Sequence, residues 1–109
     1  MQLAVGKYPI YDVVIRDNDF WGSPYGIRTG YWGTSPRGTI SHVYISGNHI
    51  HNLVPGGVFG NSGNAIGIGG FGQVGPITDV KVTGNIICHA GKILVVHGRG
   101  DLVKNNRFC

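Results

Sequence analysis

One pattern recurs along this chain and constrains its fold: alternating apolar residues, then an Asn, then another apolar residue. Residues 13–20 follow V-x-I-x-x-N-x-F around Asn18, and residues 43–50 and 80–87 repeat the pattern around Asn48 and Asn85. A shorter fourth copy, residues 103–108, surrounds Asn106. A repeated unit of this kind cannot bury its apolar face alone, so neighbouring copies must stack to form a core.

A second apolar element follows each of the first three copies, at residues 26–29, 65–68 and 93–96. Each element ends at a glycine, so one repeat is predicted to run strand, Asn turn, strand, Gly turn. Strands of successive repeats would then pair as parallel sheets about 4.8 Å apart. The predicted inward-facing residues are Val13, Ile15, Phe20, Val43, Ile45, Ile50, Val80, Val82, Ile87, Val103 and Phe108.

The repeats differ in length, and the differences locate the loops. The central asparagines are 30, 37 and 21 residues apart. If the shortest spacing is the bare repeat, the first two carry insertions of roughly 9 and 16 residues. We place them at residues 30–39, and at residues 53–63 together with 71–76.

Composition agrees with an all-β chain that forms a single domain over residues 1–109. It has 20 glycines, and 41% of it is hydrophobic, whereas good helix formers are scarce. No apolar run reaches the roughly 18 residues of a membrane span, and residues 1–7 do not resemble a signal peptide. We therefore predict no membrane association, and the chain shows no signal for secretion.

The charge pattern leaves room for an acidic partner and fits nucleic acid less well. The formal net charge is +4, and the basic residues are scattered without a run. Scattered charge is typical of a solvated surface and is compatible with an acidic polysaccharide. The chain has no basic segment with interleaved aromatic residues, which would indicate nucleic-acid binding.

One motif matches a cofactor-binding sequence in its letters alone. Gly67-x-Gly69-x-x-Gly72 has the spacing of a dinucleotide fingerprint, but no helix is predicted after it, so we expect no cofactor.

We interpret the repeated asparagines, Asn18, Asn48, Asn85 and Asn106, as structural. Asn tolerates the left-handed backbone conformation at a bend, and stacked side-chain amides can bond to each other.

The repeat resembles that of the pectate-lyase-like superfamily, over about residues 11–109. This resemblance implies a short right-handed parallel β-helix, a solenoid of about four coils with long loop insertions. It implies carbohydrate as the partner class and an extracellular or cell-surface location. The superfamily includes lyases, hydrolases and non-catalytic proteins, and this chain lacks the paired aspartates with Gly-His-Gly of polygalacturonases. Catalytic residues therefore remain unassigned.

Aromatic and arginine side chains around the first insertion are the candidate sugar-binding residues. Flat aromatic faces pack on sugar CH groups, and Arg binds carboxylates in bidentate fashion. The alternative is that the aromatics cover apolar surface of the coil. The candidates are Trp21, Tyr25, Arg28, Tyr31, Trp32 and Arg37.

Other polar clusters are weaker candidates. Asp17 and Asp19 flank Asn18, and we interpret them as residues of an ordinary solvated turn. A role as an acid, a base or a Ca²⁺ ligand is the alternative. His49 and His51 could bring two imidazoles together, but zinc would need a third ligand, for which we consider His89. We therefore predict no metal site.

Cys88 and Cys109 each lie three residues after a repeat Asn. They should stack on adjacent coils about 4.8 Å apart, within disulfide range. Two reduced thiols in one column are the alternative.

Two functions follow as expectations. The first is a polysaccharide-interacting module, related to lyases or hydrolases of acidic glycans. The second is a non-catalytic assembly module. About four coils leave apolar ends that need covering, either by the rest of a longer solenoid or by another copy, so we expect a homo-oligomer.

Overall fold

A computed structural model describes residues 2–5, 9–31, 39–54, 64–68, 76–95 and 100–109 of the chain. These residues form strands and turns, with no helix among them and therefore no helix that could cross a membrane. The strands are β1 (Gln2–Val5), β2 (Ile10–Arg16), β3 (Asp19–Trp21), β4 (Ile27–Tyr31), β5 (Ile40–Ser46), β6 (His49–His51), β7 (Asn64–Ile68), β8 (Ile77–Thr83), β9 (Ile86–Cys88), β10 (Lys92–Val95), β11 (Leu102–Lys104) and β12 (Arg107–Phe108).

The described strands form three parallel sheets, each of which takes every third strand. The first sheet has the order β1-β4-β7-β10, the second β11-β8-β5-β2 and the third β12-β9-β6-β3. Pairing within every sheet is parallel. The all-β, parallel part of the prediction is therefore confirmed.

The register aligns equivalent residues of the sequence repeat. Val43 lies opposite Val13 and Val80, and Ile50 lies opposite Phe20 and Ile87. These columns build the core, because alternate strand residues point to the same side of a sheet. The fully buried residues lie on strands that have a paired strand on each side. They are Ile27, Ile40, Val43, Ile45, Ile50, Ala65, Ile66, Ile68, Val80 and Val82.

The predicted inward-facing residues of the last repeat share the register columns of buried residues but are not buried themselves. Val103 is 47% exposed and Phe108 53% exposed, although their partners Val82 and Ile87 are buried. Both residues lie on strands that end the described sheet order, so no further described strand covers them. Position in the stack, rather than the repeat pattern, decides their burial.

Strand β1 was not predicted. It pairs with β4, with Leu3 opposite Thr29, and extends the first sheet by one strand. The segment Gln-Leu-Ala-Val lacks the Asn that identifies the other repeats, so a pattern that begins near Tyr11 excludes it.

Left-handed turns recur at the same place in each repeat. The residue before each repeat Asn has positive φ: 57° at Asp17, 66° at Gly47, 67° at Gly84 and 57° at Asn105. Asn, Asp and Gly adopt this conformation at the lowest cost among the amino acids. The repeat therefore specifies its bends as well as its strands.

The four repeat asparagines form a continuous hydrogen-bonded ladder. The side-chain amide Nδ2 of Asn18 donates to Oδ1 of Asn48, Asn48 to Asn85, and Asn85 to Asn106, at 2.9 to 3.1 Å. Each of these Oδ1 atoms also accepts a bond from the backbone N–H of the preceding Asn. The ladder thus holds neighbouring repeats in register at their bends.

The ladder also donates hydrogen bonds to backbone carbonyls of buried residues in the neighbouring repeat. Asn48 Nδ2 donates to the carbonyl of Ile15, and Asn85 Nδ2 donates to that of Ile45. Asn48 and Asn85 are 1% and 0% exposed, so water cannot replace these bonds. A buried polar group without a partner costs about 1–3 kcal/mol.

We predict that Asn85→Ala lowers the free energy of unfolding by about 3 kcal/mol, since it leaves the buried backbone N–H and the buried side-chain amide of Asn48 without their acceptor. Chemical denaturation measures the change. The matched control is Asn18→Ala at the exposed end of the ladder, where we expect about 1 kcal/mol or less. Equal losses in the two variants would contradict the role of burial.

A disulfide joins Cys88, at the end of β9, to Cys109, which follows β12. Their Cα atoms are 4.7 Å apart, and the backbone N–H of Cys109 donates to the carbonyl of Ile87. The bond therefore fastens the exposed last strand to β9, whose Ile87 is buried.

We predict that the double variant Cys88→Ser, Cys109→Ser lowers the free energy of unfolding by about 3 kcal/mol, because the 21-residue separation sets the entropy of the closed loop. Denaturation of the oxidised protein, the reduced protein and the variant measures it. Reduction should reproduce the variant. Two titratable thiols in the folded, unreduced protein would contradict the prediction.

Candidate functional site

The third sheet carries a polar and aromatic outer face. Phe20, Ile50 and Ile87 turn towards the core, so the residues on either side of them point outwards. We call these residues the third-sheet outer face: Asp19, Trp21, His49, His51, Ile86, Cys88 and Arg107.

Three residues of this face form a compact cluster of two imidazoles and a carboxylate. Asp19 lies opposite His49 on the neighbouring strand, and His51 follows two residues later on the same side. His51 Nε2 is 2.6 Å from Asp19 Oδ1, and His49 Nδ1 is 3.8 Å from the same oxygen. One ligand atom from each lies within 4.8 Å of the others, so the cluster could hold a metal ion.

The rings on this face are layered. The centroids of His49 and His51 are 4.3 Å apart at an interplanar angle of 21°. Trp21, on the neighbouring strand β3, stacks on His51. The two ring centroids are 6.0 Å apart and the interplanar angle is 19°. Trp21 is 64% exposed, so its indole presents a flat surface beside the cluster.

The predicted sugar-binding residues fall into separate groups. Trp21 lies on β3 with His51, whereas the Arg28 guanidinium lies 4.6 Å from the ring centroid of Tyr25. Both Tyr25 and Arg28 are half-buried. Tyr31 ends β4, and its side chain is outside the described part of the structure. Trp32 and Arg37 lie outside the described residues altogether.

A second polar cluster occupies the second sheet. Asp79 accepts hydrogen bonds from the Tyr44 hydroxyl, at 2.8 Å, and pairs with His42 at 2.6 Å. The bond from Tyr44, with that of His42 next, holds the pKa of Asp79 below its usual value. The same bond to Asp79, followed by burial, raises the pKa of Tyr44. The cluster thus links three polar side chains across the neighbouring strands β5 and β8. We interpret these residues as structural, because they bind each other.

The sequence contained a signal for the imidazole–carboxylate cluster that the prediction did not use. Asp19 and His49 each follow their repeat Asn by one residue, so they share a register position. The same rule aligns Cys88 with Cys109, since each follows its repeat Asn by three residues. His89, considered as a third ligand, is instead an exposed turn residue with a φ of 52°.

Comparison of the chain with protein-family models, with curated proteins and with solved structures found no match.

Proposed function

We propose that this protein is a right-handed parallel β-helix that binds an acidic polysaccharide on its third-sheet outer face. The fold proposal is supported by the topology, because each described sheet takes every third strand in a constant direction. Connections between parallel strands of one sheet are right-handed in about 98% of cases. The resemblance to the pectate-lyase-like superfamily belongs to this proposal, and binding rather than cleavage is the activity proposed.

The main support for sugar binding is Trp21, which is exposed and stacks on His51. An indole that is 64% exposed offers a large apolar face, and its stacking on His51, with ring centroids 6.0 Å apart, restricts the orientations of the ring. Preorganised aromatic surface is favourable for binding, because little side-chain freedom remains to be lost. Hydrogen-bonding groups on Asp19 and His49 lie on the same face and suit sugar hydroxyls.

Charge supports an acidic glycan over a neutral one. The chain carries a net charge of +4, which attracts polyanions at a distance. Arg107 shares a register column with Asp19 and His49 and is exposed at the far strand of the face. A guanidinium there can bind a uronate carboxylate in bidentate fashion.

We predict that an acidic glycan identified on an array binds the protein, and that Trp21→Ala weakens that binding at least about tenfold, which corresponds to about 1.4 kcal/mol. Isothermal titration calorimetry with the purified oligosaccharide measures the affinities, and a uronate-release assay tests separately for cleavage.

The matched control is Tyr11→Ala. Tyr11 is a similarly exposed aromatic, at 60%, but lies on the second sheet. Its removal should leave the affinity unchanged. Absence of binding to every acidic glycan, or equal losses in the two variants, would overturn the proposal.

Assembly between copies is the second candidate, and one observation favours it. Strands β11 and β12 lie at the edges of their sheets and expose Leu102, Val103 and Phe108 by 37%, 47% and 53%. Exposed strand edges with apolar side chains pair readily with further strands. A second copy that adds its own sheets to these edges would cover both.

This candidate predicts a homo-oligomer whose mass falls to that of a monomer in Val103→Lys, Phe108→Lys. Both residues are exposed, so the substitutions leave the buried core intact. Analytical ultracentrifugation measures the mass. A wild-type protein that remains monomeric at high concentration would exclude assembly through these edges.

A further inference from the structure

We propose that Asp19, His49 and His51 bind a divalent transition-metal ion, with Zn²⁺ as the best-fitting species. The three residues converge on the third-sheet outer face, and one ligand atom from each lies within 4.8 Å of the others. The proposal does not depend on carbohydrate binding, and the ion can be tested without any glycan.

The strand register brings the ligands together. Asp19 and His49 are direct neighbours across β3 and β6, and strand alternation puts His51 on the same side as His49. The backbone of both strands is fixed by the neighbouring ladder bond between Asn18 and Asn48. The three side chains therefore meet without any adjustment of a loop.

The distances fit a small ion. Zn²⁺ binds His nitrogen and carboxylate oxygen at about 2.0–2.2 Å, so tetrahedral ligand atoms lie about 3.4 Å from each other. The two nitrogen–oxygen distances, 2.6 Å and 3.8 Å, lie on either side of that value. Rotation of exposed side chains suffices to reach it, since Asp19 is 57% and His49 47% exposed.

The donor set selects the class of metal. Two imidazoles and one carboxylate suit Zn²⁺, Cu²⁺, Ni²⁺ and Co²⁺, whereas Ca²⁺ and Mg²⁺ prefer oxygen ligands alone. Three protein ligands leave a coordination position open, as in zinc sites that bind water or substrate. Cys88 lies opposite His51, but its sulfur is held in the disulfide and cannot serve as a fourth ligand.

A neighbouring amide orients one of the ligands. Asn52 Nδ2 lies 3.4 Å from His51 Nδ1, while His51 Nε2 faces Asp19. When Nε2 binds a metal, the proton of the neutral ring must be on Nδ1, and the Asn52 amide must present its oxygen. Metal binding is thus expected to change the His51 tautomer and to turn the Asn52 amide by half a rotation.

The test is calorimetric titration of Zn²⁺ into protein that carries no polyhistidine tag, in a buffer that does not bind zinc. We expect one ion per chain, and an affinity at least about a hundredfold lower in His49→Ala and in Asp19→Asn, because each removes one of three ligands. The visible spectrum of added Co²⁺ should show a four-coordinate ion in the wild type and lose that signature in both variants.

The matched control is His42→Ala, which removes the imidazole of the other His–Asp pair, on the second sheet. It should bind Zn²⁺ as the wild type does. Circular dichroism checks that every variant is folded. We expect them to fold, because the Asp19 and His49 side chains are largely exposed. Nitrogen NMR shifts of His51 report the change of tautomer on metal addition.

Two outcomes would overturn the proposal. The first is an absence of stoichiometric Zn²⁺ binding by the wild type, which would leave the cluster as a hydrogen-bonded His51–Asp19 pair beside His49. The second is binding that His49→Ala and Asp19→Asn do not weaken. Neither outcome bears on glycan binding through Trp21, so the two proposals fail separately.

Discussion

The amide ladder of Asn18, Asn48, Asn85 and Asn106 is the interaction on which the rest of the structure depends. A chain that bends sharply between two strands leaves backbone groups without sheet partners, and inside a core that costs several kcal/mol. Here each side chain supplies partners for the backbone of its neighbours and for the next amide. The ladder therefore allows the bend to be buried, because it supplies hydrogen-bond partners there. It lies between the strands of the second and third sheets and fixes the register of both.

That register has a chemical consequence on the outside of the molecule. Residues at the same distance from the ladder lie side by side on neighbouring strands, whatever their separation in sequence. Asp19 meets His49 in this way, and Cys88 meets Cys109. In a parallel arrangement of this kind, substitutions of single outward-facing residues can create a binding site. The inward-facing columns and the ladder remain unchanged by such substitutions.

The two proposed activities share the third-sheet outer face but use different chemistry. The indole of Trp21 offers apolar surface, and the imidazole–carboxylate cluster offers donor atoms for an ion. His51 contacts both Trp21 and Asp19, so it links the two parts of the face. The second sheet has its own His–Asp pair, but Tyr44 also binds that carboxylate and makes the group a closed structural unit.

The sequence by itself determined the all-β class, the position of the bends and the alignment of the middle repeats, because strand alternation and the Asn turn are local properties of the chain. It also contained the spacing that pairs the cysteines. Only the tertiary structure decided that Val103 and Phe108 are exposed, that Gln2–Val5 forms a strand, and that Trp21 and Arg28 have different ring partners. These features depend on which strand lies next to which, and burial and ring contacts are set by neighbours that are distant in sequence.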